Sequence, residues 1–93
     1  MYIIVTYDIT KNNNYNKRYR KIYSICKQYL THVQNSVFEG DITNAQLKEF
    51  SIEISRYIDK DIDSFTIFKH SSKKWLDKTH LGKNDFEKIS TIF

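Results

Sequence analysis

Hydrophobic positions along this chain follow two periods, one near two residues and one near three and a half. The opening run Tyr2-Ile3-Ile4-Val5-Thr6-Tyr7 is apolar and rich in β-branched residues, which predicts a buried strand over 2–9. Tyr15, Tyr19, Ile22, Cys26, Tyr29 and Leu30 then recur at steps of three and four, and Tyr23 and Ile25 widen the stripe. Lys17, Arg20, Lys21, Ser24, Lys27 and Gln28 fall opposite, so 15–30 is predicted to be an amphipathic helix. Over 32–42, Val33, Asn35 and Val37 alternate with Gln34, Ser36 and Phe38. Local signals leave open one strand or a sharply folded pair, and Gly40 points to a bulge or turn. A second helix is expected over 44–59, with its stripe at Leu47, Phe50, Ile54, Tyr57 and Ile58. Thr43 is its expected N-cap, and Gln46, three residues on, completes a capping-box pattern. Residues 63–69 form a further strand, with Phe65 and Ile67 on one face and Thr66 and Phe68 on the other. The tail opens with the polar loop His70 to Lys74. A strand-like run from Trp75 to Leu81 follows, Gly82 breaks it, and 84–91 has room for a last helical turn or two.

The element order is β-α-β(β)-α-β plus a terminal strand. It predicts one α+β domain of ferredoxin-like βαββαβ design with an extra C-terminal strand, its core about 1–69 and its tail about 70–93. Trp75, Leu76, Leu81, Phe86, Ile89 and Phe93 make that tail too apolar for a free end, so burial against a second subunit is expected.

With 93 residues, the chain holds one small core with little margin, which makes a dimer reasonable. Lys and Arg number 15 against 11 acids, and the net charge of +4 favours a polyanionic partner. The single cysteine, Cys26, excludes a disulfide framework and a cysteine-based zinc site, and it reads as a small buried hydrophobe on the first helix. Aromatic residues make up 15% of the chain, a density that suits a packed core, base stacking or both. No apolar run approaches the ~20 residues of a membrane span, and the first residues read as a strand rather than a leader; the expected compartment is the cytoplasm.

Asp8 ends the first strand, at the rim of the sheet, where folds commonly place reacting groups. It has two readings: a ligand for a hard cation such as Mg²⁺, or a cap for the loop amides of Thr10 or Lys11. Lys17, Arg18, Arg20 and Lys21 open the first helix. They are either a solvated face or a phosphate-binding cluster, and their poor match to the positive end of the helix dipole argues for function. Ser36 can bond a phosphate or close a turn, and Phe38 can stack on a base or fill the core, with packing the better reading. Asp59, Asp61 and Asp63 imitate a calcium loop. Ser64 stands where that loop needs glycine and His70 where it needs an acid, so a solvated turn is expected. His70 and His80 have no ligand-like spacing, and there is no Ser-His-Asp, Cys-His or Gly-rich phosphate loop.

Three stretches together carry a family resemblance: Tyr2 to Ile9, Asn16-Lys17-Arg18-Tyr19-Arg20-Lys21, and His32 to Gly40. The chain resembles the small CRISPR-associated nucleases of the Cas2 family, over residues 1 to about 69 and more loosely through Trp75–Gly82. The resemblance implies a ferredoxin-like homodimer whose terminal strand is exchanged onto the partner's sheet, and two tight strands within 32–42. It implies that Asp8 of each protomer faces its twin across the dyad and holds Mg²⁺ as the catalytic site, with Lys17, Arg18, Arg20, Ser36 and Phe38 toward nucleic acid. The implied activity is metal-dependent hydrolysis of single-stranded RNA, and possibly of double-stranded DNA, beside the Cas1 integrase in spacer acquisition. The competing expectation is a non-catalytic DNA-binding scaffold bridging integrase dimers, and a weaker third is a toxin-like ribonuclease outside CRISPR. His32 stands where several family members carry a basic residue, and as a neutral side chain it reads as a strand-end histidine.

Overall fold

The computed structural model describes residues 1–71 together with Thr79 and Leu81. The strand-like run from Trp75, the break at Gly82 and the helical turn over 84–91 otherwise lie outside the described residues. Six elements follow one another: β1 (Tyr2–Asp8), α1 (Tyr15–Tyr29), β2 (Thr31–Gln34), β3 (Val37–Asp41), α2 (Asn44–Ser55) and β4 (Ser64–His70). The strands form one sheet in the order β2-β3-β1-β4, and every neighbouring pair is antiparallel. This is an α+β fold with β1 at its centre.

Strand alternation divides β1 between two environments. Ile3, Val5 and Tyr7, with Ile9 beyond the strand, join Ile22, Ile25 and Cys26 of α1 and Phe50 and Ile54 of α2 in one buried core. Phe38 is fully buried there, and an aromatic cluster surrounds it, with Tyr7 stacked on Phe65 at 5.5 Å and Tyr23 edge-on to Phe38 at 5.4 Å. Much of the aromatic content is therefore core. Cys26 is buried in the same cluster, and burial pushes its thiol up to about 12, where it is an inert filler.

Residues 31–41 resolve into two strands. The turn between them places Asn35 at φ 37°, a left-handed conformation that asparagine tolerates. The strand irregularity falls between His32 and Gln34, not at Gly40 as the sequence suggested. Gly40 pairs with Ile3 inside the ladder, and a Cβ there would meet Leu30 Cδ2 at 3.3 Å, so its role is close packing. His32, expected at the surface or at a strand end, is the second residue of β2, half-buried and paired with Phe38. Its Nε2 lies 2.7 Å from the Asn35 carbonyl, which can only accept, and its ring stacks on Phe38.

The capping box of α2 forms as predicted: the Gln46 amide donates to Thr43 Oγ1 (3.1 Å), and the Thr43 amide donates to Gln46 Oε1 (3.0 Å). The helix ends at Ser55 rather than 59. The Asp59 carbonyl accepts from the amides of Ile62 and Asp63, and a tight turn replaces further helix. No helix among the described residues is long and apolar enough to cross a membrane.

Candidate functional site

The antiparallel register sets what gathers around Asp8. β4 begins at Ser64, opposite Asp8, and the loop 9–14 returns from β1 into α1. β3 runs against β1, so α2 starts beyond the far end of the sheet and finishes at the Asp8 end. The C-terminal end of β1, the first turn of α1, the last turn of α2 and the start of β4 thus share one rim.

Asp8 is exposed there. It alternates away from Val5 and Tyr7 of the core, onto the sheet face that also carries Phe68, which is 59% exposed. No hydrogen bond or ion pair engages its carboxylate among the described residues. The capping reading is answered by another acid: the Thr10 amide donates to Asp63 Oδ1 at 2.9 Å.

Asp63 is the centre of a clamp. Its side chain is 0% exposed, and Oδ2 accepts from the Asp59 amide (2.8 Å) and from Arg18 Nη1 in an ion pair. The second Arg18 nitrogen donates to the Thr10 carbonyl at 2.9 Å and to Asn12 Oδ1 at 3.3 Å. Burial works against the ionised carboxylate, but the amides of Asp59 and Thr10 and the Arg18 guanidinium outweigh it and hold Asp63 below the usual carboxylate range. One buried acid thus fastens the loop after Asp8 to α1 and to the α2–β4 turn. The expected solvated turn holds for the exposed Asp59 and Asp61 and fails for Asp63.

The clamp changes the expected nucleic-acid set. Arg18 is only 11% exposed, and its guanidinium is engaged inside the protein, so it does not offer a fork to phosphate. Phe38 is fully buried beneath Tyr7, Tyr23 and His32 and is not available to stack on a base. Ser36 sits in the β2–β3 turn, where its carbonyl accepts from the Tyr7 amide at 3.2 Å. Lys17 and Arg20 are exposed. Sequence reasoning also passed over Tyr2 and Glu39, which are 6% and 2% exposed; burial and the Glu39 carboxylate together raise the Tyr2 hydroxyl above its usual range.

Among the described residues, no group of three or more His, Cys, Asp or Glu side chains could hold a metal ion. Among the described residues one protomer therefore supplies no complete ligand set around Asp8, and a cation at this rim needs further ligands from water, a phosphate or a second copy of the chain.

The family profile described as CRISPR associated protein Cas2 matches residues 1–78. The chain belongs to the Cas2 family. A Cas2 protein of Fusobacterium nucleatum, named a CRISPR-associated endoribonuclease, is 45% identical over 82 residues, covering 88% of this chain and 77% of the relative. A Cas2 protein of Halalkalibacterium halodurans, named a CRISPR-associated endonuclease, is 34% identical over 88% of this chain and 86% of its own. The crystal structure of Streptococcus pyogenes Cas2 at pH 6.5 superposes with a TM-score of 0.72 at 28% identity, covering 86% of this chain and all of that one. A second Cas2 crystal structure gives 0.78 at 32% identity, covering 100% of this chain and 98% of its own.

Proposed function

We propose that this protein is a CRISPR-associated nuclease that hydrolyses phosphodiester bonds in a metal-dependent reaction, with Asp8 as the residue that carries it. One observation supports this above the others: Asp8 stands exposed and unengaged among the described residues, while the structural work at the same rim is done by Asp63. An acid with no partner in the fold is available to a ligand.

A hard divalent cation, Mg²⁺ by donor preference, would supply an activated water and offset charge on the phosphate. Asp8 fits it as an oxygen donor but supplies one ligand. The reading therefore includes a homodimer of ferredoxin-like protomers in which the Asp8 of each copy contributes, and the half-apolar sheet face around Phe68 gives a dimer something to bury. Within the protomer, Asp8 would hold the cation through a carboxylate oxygen, and the Arg18–Asp63 clamp keeps the 9–14 loop in place beside Asp8. Lys17 and Arg20 hold the phosphate backbone by charge, which reads no sequence and so takes RNA or DNA. The proposed setting is spacer acquisition beside the Cas1 integrase.

The test is cleavage of labelled single-stranded RNA and double-stranded DNA with Mg²⁺, with EDTA, and with Asp8→Ala. Cleavage lost in both controls supports the enzyme and names its substrate. Cleavage that survives Asp8→Ala would remove Asp8 from the mechanism. One observation favours a second reading: an unengaged acid beside exposed cations also suits a scaffold that binds DNA without cutting it. Wild-type binding without any Mg²⁺-dependent cleavage would select the scaffold.

A further inference from the structure

The first turn of α1 and the segment 56–60 that follows α2 enclose an open cleft of about 580 Å³, lined chiefly by Lys17, Arg56, Tyr57, Asp59 and Lys60. Arg18 forms part of its wall, and its charge is already balanced by Asp63. That leaves three cations in the cleft, Lys17, Arg56 and Lys60, against the single carboxylate of Asp59. All three are exposed, and no hydrogen bond or ion pair engages their side chains among the described residues. Asp59 is occupied in part: its Oδ1 accepts from the Asp61 amide at 3.0 Å. Three unpaired cations in one concave surface repel one another, and an anion spanning them relieves that repulsion. Tyr57 is half-buried and presents ring surface beside the charges, a combination suited to a sugar-phosphate strand rather than to a lone small anion.

We infer that this cleft is a binding site for the phosphodiester backbone of a nucleic-acid strand, with Arg56 and Lys60 of the α2–β4 connection as contacts alongside Lys17. The inference rests on the nucleic-acid reading above and extends it to a part of the chain that the three family-like stretches do not include. The cleft lies at the Asp8 end of the sheet, because the start of α1 and the connection from α2 to β4 both lie there. Arg18 joins the two regions, since one guanidinium walls the cleft and holds the Thr10 carbonyl two residues past Asp8. A strand lying in the cleft is therefore led toward the Asp8 rim.

The experiment is the salt dependence of binding, measured for a labelled 20-nucleotide RNA and a 20-base-pair DNA between 50 and 300 mM salt. The proteins compared are the wild type, Arg56→Gln/Lys60→Gln, Arg56→Lys, and the control Lys48→Gln, which removes an exposed cation in the first half of α2. Loss of two phosphate contacts lowers the slope of log K against log salt by about 1.4 for a single strand and about 1.8 for duplex DNA. Lys48→Gln should leave it unchanged, and Arg56→Lys, which keeps the charge, should retain most of the binding. The arm whose slope falls by its full expected amount names the strand form that the cleft takes. Equal slopes for the double variant and the wild type overturn the cleft while leaving nucleic-acid binding intact, and equal losses in the double variant and Lys48→Gln overturn it as mere net charge. A wild type that binds neither probe overturns both readings. Matching thermal melts across the set establish that the variants are folded.

Discussion

Two carboxylates stand at one rim of this sheet, and the fold treats them oppositely. Asp63 is closed off from solvent, with two backbone amides and a guanidinium on its two oxygens. Asp8 is exposed, and among the described residues no hydrogen bond or ion pair engages its carboxylate. A buried carboxylate must have its partners in place, because an unpaired charge in the interior costs several kcal/mol. An exposed one at a strand end needs none, and its removal should cost the fold little. The contrast separates an acid that builds the site from an acid that the site presents.

The sharpest way to break the comparison is to remove the builder. Asp63→Ala strands the Arg18 guanidinium and the amides of Thr10 and Asp59, and it should lower the unfolding free energy by about 3 kcal/mol or more in urea titrations. A loss below about 1 kcal/mol would mean that the clamp is ornamental. Acid should act on the same group. Its folded-state ionisation is favoured, so the stability it contributes is present above the unfolded carboxylate value of about 3.9 and is lost as pH falls through the lower folded value. Wild-type stability should therefore drop more steeply below about pH 4 than that of Asp63→Asn, as followed by thermal melts across pH. Thr43→Ala calibrates both by deleting a purely local device, the capping box of α2, at an expected cost of about 1 kcal/mol. Asp8→Ala stands at the bottom of the scale. Its melting curve should lie within about 0.5 kcal/mol of the wild type, and a larger loss would give Asp8 a structural role after all.

Much of this was legible along the chain, because the signals were local. The apolar run to Tyr7 gave β1, the three-and-four spacing gave α1, and Thr43 with Gln46 gave the start of α2. Asp8 was legible as a rim residue, since an acid after a run of apolar residues, followed by a polar loop, marks where the strand reaches solvent. Asp63 was not, for a physical reason. Its partners Arg18 and Thr10 lie 45 and 53 residues away, and no periodicity reports a contact of that separation. The Arg18–Asp63 pair was hidden for the same reason, since a cation on an early helical turn looks solvated or phosphate-binding until its distant acid is known. Gly40 signalled a bulge only because a glycine inside a strand has two common causes, and Leu30 decided for the other.

The most direct test of the central claim, that Asp8 is the acid left available for a metal, is calorimetric titration of Mn²⁺ into the wild type and Asp8→Asn. The account predicts one ion per two chains for the wild type and no binding for the variant. Equal binding by the two proteins would contradict it and place the metal, if one is used, elsewhere.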